Sequence, residues 1–417
     1  MFFFLFLLGV AVFYKSLMVF FVQDDFILIN HFSQNSLIID VKSAIGSPEV
    51  THWRPMHNLY FLIAGNIFYK NYSAYHFFTL LIHAGVAFLI FKIANKITNN
   101  LKIAYVSSFI YAIHPAHFVT LFWISGSATS IGFFFLLLSF LLYLQEKKRA
   151  SIFSFLLSLL ASEAMIAGFG LFVIYQFLFR DRKIINLFTG RLLMAATIFA
   201  LIRLLFLTPK STYDSYQINI WPQIFTNTKY YLLRVAGFAE VSGDLIVSIA
   251  LLGLLLFTAI NIARGLKYRS DHRVIIFALS LIILGLFPFV LISNLSPHYM
   301  NISVFGLALL ISISLSKLRL TNTIAFLLIF LLLSFLNVRK TYQDHWVIKR
   351  SDLSEKYIHE IENSNIPEES MIIFNDNYIS TSEDAYISLG TGKAIDFWFG
   401  GKNYQYCFTA FESCEEK

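Results

Sequence analysis

The chain has 417 residues, 57% of them hydrophobic and only 14% charged, with 46 Phe and a formal net charge of +7. A soluble domain carries about 25% charged residues, so this composition excludes an ordinary globular domain and points to a polytopic membrane protein. The basic residues sit in short gaps between apolar runs, which is the pattern of cytoplasmic loops and not of a nucleic-acid-binding surface.

Eleven apolar segments are expected as membrane helices, at roughly 1–22, 74–92, 103–118, 123–144, 150–162, 164–179, 191–207, 244–263, 274–293, 301–316 and 321–337. Several fall short of the about 20 residues that cross a bilayer, which implies local thinning or shelter among neighbouring helices. The first run is longer than a signal-peptide core and no small-residue cleavage site follows it, so it reads as a retained helix. With the N-terminus inside, five inner loops hold sixteen basic residues, from Lys92 to Arg319. The outer loops before the tail then hold six: Lys42, Arg54, Lys70, Lys210, Lys229 and Arg234. This asymmetry predicts a multi-pass protein of the cell membrane or the ER membrane, cytoplasmic at its N-terminus and extracytoplasmic at its C-terminus. It also separates the fifth and sixth segments.

The expected fold is therefore an all-α polytopic membrane domain over residues 1–337, with long outer loops at 24–73 and 208–243. A small extracytoplasmic α/β domain follows over 338–417. In it, 346–363 reads as a helix, 371–374 and 394–399 as strands, and Gly400-Gly401 as a turn. Cys407 and Cys414, the only cysteines, are able to pair if that domain is outside.

Candidate chemistry gathers at the outer ends. Asp24-Asp25 follows the first helix, and carboxylates at a membrane segment's end raise a functional hypothesis. Arg54, in Trp53-Arg54-Pro55, offers a planar guanidinium suited to phosphate. Arg203 lies one turn from the outer end of the seventh segment, where snorkelling is the ordinary account and a lipid phosphate the sharper one. His114 and His117 share a helix face, but no third metal ligand is visible at a suitable spacing. Glu163 occupies the minimal connection between the fifth and sixth segments, and His298 and Tyr299 an outer turn. P-loop, dinucleotide, zincin and serine-elbow motifs are all missing.

The ordered stretches Asp24-Asp25-Phe26, Trp53-Arg54-Pro55, Tyr75-His76-Phe77 through His83-Ala84, Ile113-His114-Pro115-Ala116-His117 and Trp123-Ile124-Ser125-Gly126 carry a resemblance. The chain resembles, over roughly residues 20–350, the transmembrane O-mannosyltransferases with tetratricopeptide repeats, and more broadly the GT-C glycosyltransferases. It departs from that pattern in Ser162-Glu163, where the family usually has Lys-Glu, and in Pro297-His298-Tyr299, where it has Glu-Arg-Tyr. The repeats themselves are missing.

The resemblance implies a catalytic carboxylate in the first outer loop, a polyprenyl-phosphate-linked sugar donor and inversion at the anomeric carbon. The expected roles are then Asp25, preferred because Asp24 stands closer to the helix end, or Asp24 as base, and Arg54, Arg203 and His52 on the donor phosphate. His114, His117, Trp123, Glu163, His298 and Tyr299 are expected around the substrates. The acceptor is a hydroxyl of a protein or glycolipid. The sequence requires no cofactor and leaves a divalent metal at Asp24 open. The alternative reading is a lipid or solute transporter or flippase, for which membrane-edge charges also serve; a scaffold with a sensory tail is a third.

Overall fold

A computed structural model describes residues 1–32, 37–46, 53–180, 186–203, 221–265, 272–293 and 295–414. Each of the apolar segments is built on a helix: Phe2–Phe13, Tyr72–Thr98, Leu101–Ala112, Ser127–Leu144, Lys148–Ala161, Phe169–Phe179, Leu187–Ile202, Leu245–Gly265, His272–Leu286, Asn301–Ser316 and Leu320–Asp344. Among the described residues four stretches are long and apolar enough to cross a membrane, Tyr72–Thr98, Ile124–Leu144, Leu245–Arg264 and Leu320–Asp344. The others are shorter. Lys148–Ala161, with 14 residues, rises only about 21 Å at 1.5 Å per residue, against about 30 Å of hydrocarbon.

Polar residues at the ends set these lengths. Asn99 closes the helix Tyr72–Thr98 in the left-handed conformation, at φ 49°. The side chain of Asn100 then caps Leu101–Ala112 by accepting from the N–H groups of Lys102 and Ile103. Asn186 and Thr189 form a capping box at the start of Leu187–Ile202. The helix Tyr72–Thr98 packs against Phe2–Phe13, Leu101–Ala112 and Ser127–Leu144. Its apolar window is 67% buried within the protein, against 17% for Leu245–Arg264, so the first is the central post of the bundle and the second its periphery.

The tail departs from the sequence reading in three places. The last long helix does not stop near residue 337 but runs to Asp344. Residues 394–399 are not a strand: they belong to the helix Lys393–Phe399, where Lys393 Nζ and Asp396 Oδ2 pair at 2.8 Å one turn apart. Gly400-Gly401 opens a further helical turn, Gly400–Lys402. The helix Trp346–Asn363 and the strand β1 (Met371–Phe374) stand where expected. β1 pairs in parallel with β2 (Gln405–Phe408), Met371 opposite Gln405 and Phe374 opposite Phe408. Cys407 and Cys414 form a disulfide.

The segment 24–73, expected as an outer loop, is not irregular chain where it is described. It holds the helices Asp24–Phe32, Leu37–Gly46 and Pro55–Phe68. Phe20, Phe21, Phe26 and Phe61 share one apolar core with Tyr357, Ile358, Phe374, Phe397 and Phe408 of the tail. The tail is thus seated on the segment that carries the Asp pair.

Candidate functional site

The Asp pair begins the helix Asp24–Phe32, where carboxylates oppose the positive end of the helix dipole. Gln23, just before it, is held at φ 54°, a conformation that costs a non-glycine residue about 1–2 kcal/mol. The turn sends the two carboxylates to different places. Asp25 is 1% exposed. Its Oδ2 accepts from the Val22 N–H at 3.1 Å, and its Oδ1 accepts from the Ser125 N–H at 2.8 Å and the Ser125 hydroxyl at 2.5 Å. Asp24 keeps partial access to the outside and lies in the fields of Arg54 and Arg350.

Burial pushes the Asp25 carboxyl up to about 7, outweighing the donors of Ser125 and Val22, with Asp24 adding repulsion. Burial also raises Asp24, opposed by Arg54 and then Arg350. For Asp25 the sign of the linkage is fixed. The folded state holds a proton that the unfolded carboxyl gives up near about 3.9, so its stabilising contribution is lost as pH rises from that value to about 7. Asp25→Asn places an amide where all three partners are donors. It is expected to cost about 1–3 kcal/mol of stability and to flatten the pH dependence of unfolding between pH 4 and 7, read by thermal melts of the detergent-solubilised protein.

The second part of the site is a charge cluster. Arg54 precedes Pro55, which starts the helix Pro55–Phe68. Trp53 is fixed by a 2.8 Å bond from its indole N–H to the Ile45 carbonyl and by stacking on Phe199 at 5.8 Å. Arg54 forks onto Glu163, Nε to Oε2 at 2.8 Å and Nη2 to Oε1 at 2.7 Å. Arg203, at the C-terminal end of Leu187–Ile202, reaches the same Oε2 through Nη1 at 3.1 Å. Two cations thus share one carboxylate, and Arg54 also acts on Asp24.

A third group of side chains lines the approach from the tail side. Arg350 lies over the Trp346 ring at 5.1 Å. Trp346 meets Trp123 edge to face at 5.4 Å, and Trp123 meets His298 at 6.2 Å. Beyond them Glu240 is held by Tyr230, at 2.6 Å, and by His345, at 3.1 Å. Arg234, over the Tyr230 ring at 5.4 Å, is 8% exposed, and its Nε and Nη1 have no hydrogen-bond partner among the described residues.

The structure therefore brings together Arg54, Glu163 and Arg203, with Asp24 in the field of Arg54, and separately Trp123 with His298. It places His117 in the bundle interior, against Tyr111 at 4.4 Å and His83 at 4.7 Å. His114 Nδ1 accepts from the Ala116 N–H, and Tyr299 stacks on Phe289 at 4.4 Å. His52 lies outside the described residues. Among the described residues no three His, Cys, Asp or Glu side chains converge as a metal site. Ser125, Arg234, Glu240 and Arg350 had no site role in the sequence reading. Their signal is spatial: Ser125 is a hundred residues from Asp25 in the chain. A search of protein-family models and of curated proteins finds no match to the chain.

Proposed function

We propose that the protein is an inverting membrane glycosyltransferase that moves a hexose, mannose-like in the simplest case, from a polyprenyl-phosphate donor to a hydroxyl on the outer face. The observation that carries this reading is one partly accessible carboxylate, Asp24, set in the field of Arg54, whose guanidinium shares Glu163 with Arg203. Those are the two things the reaction needs. The acceptor hydroxyl gives its proton to Asp24 as its oxygen attacks the sugar C1 from the side opposite the phosphate. The C1–O bond to phosphate breaks, and the charge that gathers on the leaving phosphate is met by Arg54 and Arg203. Asp25 is assigned a different job: its donors from Ser125 and Val22 fix the turn from which Asp24 projects. The resemblance to GT-C enzymes supports the donor class, and the aromatic wall of Trp123 and Trp346 suits the face of a sugar.

The topology belongs to the same proposal. The N-terminus and the 145–149 loop are inside, and Asp24, the 208–243 loop and the tail are outside. The Cys407–Cys414 disulfide supports this, since such bonds persist in oxidising compartments. Single introduced cysteines in intact cells are expected to react with an impermeant maleimide in the tail and not at Lys148; the reverse pattern overturns the map. The donor class is tested by cross-linking with a photoactivatable polyprenyl-phosphate hexose. Capture at peptides bearing Arg54 or Arg203, competed by unlabelled donor, is expected. Equal capture of a neutral polyprenol sinks the assignment.

A further inference from the structure

The tail does more than cover the first outer loop: it grips the backbone from which Asp24 emerges. The Gln23 N–H donates to the Ser388 carbonyl at 2.9 Å. The same carbonyl accepts from the Ser354 hydroxyl at 2.8 Å, and the Ser351 hydroxyl donates to the Phe20 carbonyl at 3.2 Å. The Arg350 Nη1 donates to the Gln23 side-chain oxygen at 2.8 Å. Gly390, at φ 59°, fits against this turn because it has no side chain: an added Cβ would stand 2.5 Å from the Gln23 carbonyl oxygen. Left-handed residues outside glycine persist only where the surroundings over-determine them. Here those surroundings, at Gln23, are largely the tail.

We propose that Arg350 is a positioning residue for Asp24, holding the Gln23 turn and setting the charge beside the carboxylate, so that the tail is a built-in part of the site. This rests on the reading of Asp24 as the base. The charged groups facing Asp24 are Asp25 on its own helix, Arg54 from the loop before Pro55, and Arg350 from the tail helix. Glu163 acts on it through Arg54, and Asp384 acts through Arg350. Arg350 is the one of these that belongs to the tail helix Trp346–Asn363 and bonds the turn directly. Its cation favours the ionised form of Asp24.

The test compares Arg350→Gln, Arg350→Lys and Gly390→Ala in the full-length protein. The Asp24 carboxyl stretch is isolated by infrared difference against Asp24→Asn, which needs no catalysis. Arg350→Gln is expected to move the Asp24 midpoint to higher pH. Arg350→Lys, which keeps the charge, is expected to return it most of the way. Transfer should then rise with pH along the shifted midpoint. Gly390→Ala is expected to lower transfer while leaving the charges in place. An unmoved midpoint in a folded Arg350→Gln variant overturns the proposal, as does an equal shift in Arg350→Lys. If the midpoint shifts while even the wild type transfers no sugar, the positioning role stands and the enzyme reading fails.

Discussion

Asp24→Asn is expected to lower sugar transfer by about 10²–10⁴-fold, the usual share of general-base catalysis, with the fold and donor binding intact. Asparagine keeps the size of the side chain and removes its capacity to take a proton. Burial raises the Asp24 carboxyl, so the folded protein disfavours its charge, and losing that charge is not expected to cost stability. Asp25→Asn should behave in the opposite manner, because Asp25 is buried and every partner it has is a donor. Its damage falls first on stability. The two neighbours also separate along pH. A base works only when ionised, and burial raises Asp24 above the ordinary carboxylate range, so transfer climbs with pH through its pKa. The contribution of Asp25 to stability falls as pH rises toward about 7.

Arg203→Ala is expected to weaken binding of the polyprenyl-phosphate donor by about 10–150-fold, which corresponds to the 1.5–3 kcal/mol of a hydrogen bond to a charged group. Its melting temperature should move little, since Glu163 keeps the forked pair with Arg54. Arg54→Ala is the contrast. It removes both bonds of the fork and takes the bidentate cation from Glu163, whose side chain is 24% exposed. Stability and donor affinity should then fall together. Isothermal titration with a short-chain polyprenyl phosphate, paired with thermal melts, separates these outcomes. Equal losses in the two variants would make the cluster a strut and not a phosphate site.

The helices were legible because an apolar run is a local signal, but their ends were not: Tyr72–Thr98 runs past the expected end at 92, and Leu187–Ile202 begins before the expected start at 191. The strand β1 and the helix Trp346–Asn363 were legible for the same reason. Residues 394–399 were not. Ile395, Phe397 and Phe399 alternate like a strand and are all buried, but Ala394 beside Ile395 and the Lys393–Asp396 pair follow helical spacing. β2 was missed because four residues acquire strand geometry only by pairing with β1. At the site, the Asp pair and Arg54 carried their own signal. That Glu163 joins Arg54 to Arg203 did not, because 109 residues separate the partners of its fork. That the two acids part was expected from the sequence, with Asp25 favoured as base; that Asp25 is the buried one, held by Ser125 a hundred residues away, was not legible.

The most direct test of the central claim is transfer of radiolabelled hexose from its polyprenyl phosphate to membrane acceptors, measured in the wild type, Asp24→Asn and Asp25→Asn with donor binding alongside. The account predicts transfer by the wild type, and donor binding without transfer by Asp24→Asn. It predicts a transfer loss in Asp25→Asn that tracks its lost stability. Wild-type rates in a folded Asp24→Asn variant would contradict it, and would make a transporter the better reading of the same charges.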